Sequence, residues 1–419
     1  MFAFVETRSR TVAMLIRVVL ARLLPPVLAV LGALSPLVWA TGCGVTRAPG
    51  RAAAPAQPPA PLTASEIAAL IPVQVRDRAG WSMAIANALA ANELPLERAS
   101  ACAVIAVIGQ ESGFDADPTV PGLAGIAAAR IDRYKARLGP FGDPLFDRLL
   151  SGRAPDDARP FRERLVGLRT ERDADLLFRD LLAYYEVNHP SLFTAAEWAT
   201  KLTDLDGLAG LNPITTAGSM QVSVRFAEEW ARAHKGKTAT PGGVRDALYT
   251  RPGGAYYGTA RLLAYPVQYD RVLFRFADYN AGLYASRNAA VQAQLSRLSG
   301  RKLTLDGDLL SYDRSGRPND QESESERAVQ AFAQRYAPQL SAGTIRRDLL
   351  GEKTSGFEGT ETYRAIKIAA AQKWGHPADY ATLPQVAVTS PKLKRPRSTA
   401  WFAQSVDRRY QTCVGAPGR

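Results

Sequence analysis

The pattern of hydrophobic and polar positions is helical along most of the chain. Ala101–Ile108 is an unbroken apolar run, ACAVIAVI, which continues through Gly109 and Gln110 to one carboxylate, Glu111, and then to Ser112, Gly113 and Phe114. A run this apolar predicts a buried helix rather than an amphipathic surface helix. At about 100° per residue, Val104, Val107 and Ile108 lie on or beside the face of Glu111, and Cys102 faces away. Gly113 is placed to stop the helix. The pattern therefore predicts a carboxylate on the last turn of a core helix, at the edge of the interior. Loss of water there raises a carboxylate's pKa, which suits a general acid near neutral pH. A surface Glu following a core helix has the same local pattern.

Other segments carry their own stop and start signals. Thr63-Ala64-Ser65-Glu66 is a capping-box pattern leading into IAALI and stopped by Pro72. Trp81, Ile85, Ala88 and Leu89 keep helical spacing until Asn92 and Pro95. Residues 115–212 read as a helical insertion, with amphipathic stretches at Ile131–Leu138, Phe161–Leu168 and Asp173–Tyr185. Tyr184 and Tyr185 fit core packing better than a sugar groove, and His189, before a Pro, takes no role. Gly218 marks a turn, and Ser219 is placed to cap a helix running through Phe226 and Trp230. Residues 252–265 read as a turn and a short helix; Leu273–Leu283 reads as a helix closed by Asn280-Ala281-Gly282. Beyond residue 300, Leu303–Asp313 alternates around an Asp-Gly and predicts a small hairpin. Helices follow around Val329–Tyr336 and Tyr363–Trp374, then a basic loop at 392–397 and a short segment at Trp401-Phe402. The fold class expected is mainly α.

Composition adds a compartment and a surface. Arg-bearing residues 1–22 precede an apolar stretch, Leu23–Trp39, broken by three prolines and ending Ala40-Thr41-Gly42-Cys43. This reads as a secretory signal over 1–42 rather than a membrane span. The small-small-Cys ending resembles a bacterial lipobox, which implies that Cys43 becomes the acylated first residue of the mature chain. By the same resemblance Gly44 directs the lipoprotein to the outer membrane, facing the periplasm. Residues 43–62, rich in Ala and Pro, suit a tether. The net charge of +12 over 419 residues favours an anionic polymer or membrane surface. No zinc-finger spacing, aromatic-basic RNA signature or basic heptad helix supports nucleic acid. Cys102 and Cys413 are able to pair in an oxidising compartment. Cys102 lies in the core run, however, where a free Cys acts as a small hydrophobe, and two free thiols are the favoured expectation. Neither has a His close in sequence, so no metal site and no cofactor is expected.

Three separated motifs, Glu111-Ser112-Gly113-Phe114, Gly218-Ser219-Met220-Gln221 and Tyr279-Asn280-Ala281-Gly282, stand in this order. The set resembles that of lytic transglycosylases of the goose-lysozyme-like superfamily. The chain as a whole also resembles an uncharacterised bacterial lipoprotein family in which such a domain is embedded. The resemblance implies a lysozyme-like catalytic domain over 63–300, carrying the helical insertion at about 115–212, and a small α(+β) C-terminal extension over 301–419. It implies a peptidoglycan substrate cleaved between N-acetylmuramic acid and N-acetylglucosamine. Glu111 would be acid and then base, Ser112 would sit beside the leaving group or acetamide, and Met220 and Gln221 would shape the sugar pocket beside Ser219. Tyr279 would hydrogen-bond Glu111, and Asn280 would position the site backbone.

Two alternatives remain open in the sequence. Asp278, Asp204 and Asp206 are candidates for a second carboxylate, which would allow ordinary muramidase hydrolysis. The long insertion after Phe114 could instead close the groove, leaving a non-catalytic peptidoglycan-binding lipoprotein. A Ser112 nucleophile is disfavoured, because none of the three His residues lies in a supporting motif.

Overall fold

Local capping chemistry sets the helix ends. The computed structural model describes residues 60–416 except 192, 195–196, 198–207, 314–315 and 389–396. The signal, Cys43, the tether as far as residue 59, Asp204, Asp206 and the basic residues 392–396 lie outside the described residues. Thr63 forms the expected capping box with Glu66 at the start of α1 (Ala64–Leu70). Helix α2 (Arg78–Ala91) ends at Asn92, whose side-chain amide donates to the carbonyl of Ala88 at 2.8 Å. Helix α3 (Arg98–Glu111) is the predicted apolar helix, with Ala101–Ile108 buried throughout.

The insertion is helical, with α4 (Leu123–Leu138), α5 (Gly142–Ser151), α6 (Phe161–Val166) and α7 (Glu171–Asn188). Tyr184 and Tyr185 pack inside it: Phe161 meets Tyr184 edge-on at 5.7 Å, and the Tyr185 hydroxyl donates to the carbonyl of Arg148 at 3.0 Å. His189 stacks on Tyr185 at 5.2 Å.

A two-stranded hairpin, β1 (Thr216–Ala217) against β2 (Val222–Ser223), comes next. It leads directly into α8 (Val224–Lys235), then α9 (Pro241–Leu248), α10 (Arg251–Leu263) and α11 (Leu273–Ala281). Ser223 caps α8 by accepting from the amide of Phe226, not Ser219 as the sequence suggested. The chain turns back as a hairpin through Gly218–Gln221, which places the cap one strand later.

A second, separate core is built by α12 (Ala285–Ser299), α13 (Glu324–Tyr336), α14 (Ala342–Leu349) and α15 (Glu361–Trp374), centred on Val291, Leu309, Phe332, Phe357 and Ile366. The hairpin expected over Leu303–Asp313 does not form. The amides of Leu309 and Leu310 donate to the buried carboxylate of Glu352 at 2.5 and 3.0 Å, which replaces the partner strand as their acceptor.

After β3 (Ala387–Val388) and β4 (Arg397–Ser398), the last helix, α16 (Thr399–Val414), leaves the second core. Phe402, Ala403, Val406 and Cys413 are buried in the first core, together with α3 and α11. The segment assigned to the extension by sequence thus contains a helix of the first core. Cys102 and Cys413 form a disulfide with Cα atoms 5.6 Å apart, which corrects the expectation of two free thiols. The sequence could not show that α16 returns to α3. Pro59–Arg419 is one unit by its packing. No helix among the described residues is long and apolar enough to cross a membrane.

Candidate active site

Glu111 is the last residue of α3 and is half-buried, one turn beyond the fully buried Val107 and Ile108. The chain leaves the helix through two consecutive left-handed residues, Gly113 (φ 63°) and Phe114 (φ 69°). The strain at Phe114 is offset by packing, because its ring meets the buried Trp81 edge-on at 5.5 Å. Ser112 serves this turn. Its hydroxyl donates to the carbonyl of Ile108 at 3.2 Å and accepts from the amide of Asp115 at 3.3 Å.

Gly218-Ser219-Met220-Gln221 is the tip of the β1–β2 hairpin. A Cβ on Gly218 would lie 1.9 Å from the carbonyl oxygen of Leu248, and φ is 76°, so only glycine fits. The tip lies on α10, where glycines make room for it. A Cβ at Gly254 would come within 2.7 Å of the Ser219 hydroxyl, and one at Gly258 within 2.2 Å of the Met220 sulfur. Ser219 and Met220 are both fully buried, and the Ser219 hydroxyl has no protein partner. The Met220 side chain is therefore a core group, and its main-chain carbonyl is what it presents to the site.

That carbonyl accepts the hydroxyl of Tyr279 at 2.8 Å, so the phenol's one proton goes to the hairpin tip rather than to Glu111 as the motif resemblance implied. Tyr279 is buried on α11, and its own carbonyl accepts Nη2 and Nε of Arg261 at 3.1 and 3.3 Å. Burial pushes the Tyr279 phenol well above its usual range; Arg261 pulls it back, and the charge of Glu111 pushes it up again. The charge of Glu111 thus reaches the Tyr279 phenol, and the Tyr279 hydroxyl ties the second and third motifs together directly. Asn280, the next residue, is exposed and accepts from the hydroxyl of Thr399 on α16 at 3.4 Å.

Gln221 has φ 48° and an amide held at both ends. Its Oε1 accepts from Thr216 at 3.0 Å, and its Nε2 donates to Oε2 of Glu171 at 2.8 Å. Glu171, the first residue of α7, is 3% exposed and is a carboxylate that sequence reasoning missed. The capping box of Thr170 and Asp173 marked a helix start there, but nothing local signalled that Glu171 faces inward. Further ties dock the insertion on the hairpin side. The fully buried Asp175 accepts from Arg245 at 2.6 Å and Asn212 at 2.7 Å, and pairs with Arg179 at 3.0 Å. The Thr170 hydroxyl donates to Asp117 at 3.2 Å, and the amide of Val120 donates to the carbonyl of Arg169, which closes the insertion on the loop leaving Glu111.

Asp278, the sequence candidate for a second carboxylate, is 0% exposed. Tyr269 and Tyr265 donate to its Oδ2 at 2.6 and 3.1 Å, and the amide of Ser286 donates to Oδ1 at 2.7 Å. Burial raises its pKa to about 6 against those bonds. It pins α11 to the start of α12. Among the described residues no group of three or more His, Cys, Asp and Glu is placed to hold a metal ion.

Residues 74–416 match a family described as a protein of unknown function, DUF1615. The chain belongs to the DUF1615 family. It is 36% identical over 351 residues to the uncharacterized protein YaiW of Escherichia coli (strain K12), covering 84% of this chain and 89% of that protein. The DUF1615 match takes in all three motifs, the insertion, the second core, α16 and all of the first core after Ile71. No solved structure matches the chain.

Proposed function

We propose that the chain is an outer-membrane-anchored lytic transglycosylase that cleaves the β-1,4 bond between N-acetylmuramic acid and N-acetylglucosamine in peptidoglycan. The observation that carries this reading is the Tyr279 hydroxyl on the Met220 carbonyl, with Glu111 acting on the same phenol. The bond joins two motifs far apart in sequence, and the charge of the half-buried Glu111 in the third reaches the same phenol. The rest of the lysozyme-like reading rests on the motif resemblance.

In this mechanism Glu111 protonates the glycosidic oxygen as its bond to the muramoyl C1 breaks. The substrate's own acetamide stabilises the cationic carbon. The Glu111 carboxylate then takes the proton of the muramoyl 6-hydroxyl as that oxygen bonds to C1. Glu111 ends protonated as it began, no water is consumed, and the product carries a 1,6-anhydro ring. One group serving as acid and then base contributes on the order of 10²–10⁴-fold in rate. The muramidase alternative needs a free second carboxylate; Asp278 does not supply one, because two tyrosines and a main-chain amide use its oxygens.

Digestion of purified sacculi tests the proposal. Mass spectrometry should find anhydromuropeptides with the wild type and none with Glu111→Gln. Reducing-end products would select the muramidase, and sacculus binding without fragments would select the non-catalytic binder. The anchor is tested separately: Cys43→Ser should abolish incorporation of labelled palmitate.

A further inference from the structure

The C-terminal helix reaches both site helices at the residues that flank the functional ones. α16 runs antiparallel along α3. At one end, Arg98 donates to the carbonyls of Val414 and Ala416 at 3.2 and 2.6 Å. One turn further along α3, Cys102 is bonded to Cys413. At the other end, Ser405 and Arg409 both donate to Oε1 of Gln110, the neighbour of Glu111, at 2.9 and 3.2 Å. The same helix faces α11. Tyr410 meets the fully buried Phe276 edge-on at 5.8 Å, and Thr399, the first residue of α16, donates to Asn280, the neighbour of Tyr279.

We propose that α16 is a positioning element for the Glu111–Tyr279 pair and that the Cys102–Cys413 bond locks it there. Ser405 and Arg409 act on Glu111 through Gln110, and Thr399 acts on Tyr279 through Asn280. This rests on the reading of Glu111 as the acid–base group. Glu111 terminates its helix, and the end of a helix frays unless tertiary contacts hold it. The two donors on Gln110 hold that last turn of α3 on α16. α16 is itself held at both ends. Its N-terminal end is tied by β4 pairing with β3, and its C-terminal end by the disulfide and Arg98. In an oxidising compartment the site would therefore be in register only after the last helix has docked and the bond has closed.

The test uses the full mature chain, oxidised and after reduction with a phosphine. Amide exchange should speed up at least tenfold at residues 108–113 and 279–282 on reduction, and change less than twofold around Val329 and Ile366 in the second core. A second variant keeps the disulfide: Ser405→Ala with Arg409→Gln should show the same local loosening. On sacculi its kcat should fall at least tenfold with KM within twofold of wild type, and Ser405→Thr should retain wild-type kcat. The inference is overturned if residues 108–113 and 279–282 exchange no faster in the double variant than in wild type, or if its kcat is unchanged. Should wild type release no fragments at all, the acid–base reading fails, and the exchange arm still decides whether α16 holds the two segments.

Discussion

Tyr279 shows how much one hydroxyl can carry. Its single proton goes to the Met220 carbonyl, and that bond ties α11 to the hairpin tip beside Glu111. Tyr279→Phe removes the donor and leaves a buried carbonyl unpaired, a loss of about 1–3 kcal/mol. We expect denaturant unfolding to show that loss and sacculus digestion to show a lower rate; unchanged values in both would refute the tie. Asp278 gives a pH signature. Its folded pKa of about 6 lies above its ordinary value of 3.8, so the folded state holds the extra proton in between. Stability from this group is fully present below about pH 4 and declines as pH rises through about 6, by up to about 1.4 kcal/mol per pH unit. Glu352, at about 7 against 4.5, extends the same trend upward. Urea midpoints measured from pH 4 to pH 8 should therefore fall with rising pH, and Glu352→Gln should flatten the portion between about 5 and 7.

Among elements, the hairpin tip on α10 decides the geometry around the Gly-Ser-Met-Gln motif. Gly258→Ala is an informative change, because in an open helix it would stabilise by up to about 1 kcal/mol. Here the new methyl meets the Met220 sulfur at 2.2 Å, and overpacking costs about 1–3 kcal/mol. A lower melting temperature is the expected sign; a higher one would refute the close packing of tip and helix. The insertion is held by buried carboxylates of its own. Its carboxylates Glu171 and Asp175 reach Gln221 and Arg245, so it docks on the hairpin side. Breaking one partner of a buried ion pair costs about 3–5 kcal/mol. Asp175→Ala should show that loss in unfolding and speed proteolysis within 115–212; equal proteolysis would refute the docking role.

For the whole molecule, the two cores divide the labour. The first holds α3, the hairpin, α10, α11 and α16, and the second is built from α12 to α15. The disulfide joins the first core across most of the chain, with a sequence separation of 311. Such a link stabilises mainly by restricting the unfolded chain, typically by about 2–4 kcal/mol. Cys413→Ser should lose stability in that range by guanidinium unfolding, and the difference should vanish when both proteins are measured reduced.

The sequence by itself determined the elements whose signals are local. The apolar run to Glu111, the capping box at Thr63 and the glycine stops at Gly113 and Gly282 are read from neighbours along the chain, because a helix is closed by its own next few residues. The order of the three motifs was legible for the same reason. Only the tertiary structure decided what depends on residues far apart. Ser219 resembles a cap until Gly254 and Gly258 admit a hairpin tip, and Leu303–Asp313 resembles a hairpin until Glu352 takes its amides. Asp278 resembles a free acid until Tyr265 and Tyr269 close on it, and Cys102 resembles a lone core thiol until α16 returns with Cys413. In each case the deciding partner lies on another element, and a hydrogen bond or a disulfide depends on distance in space, which spacing along the chain does not record.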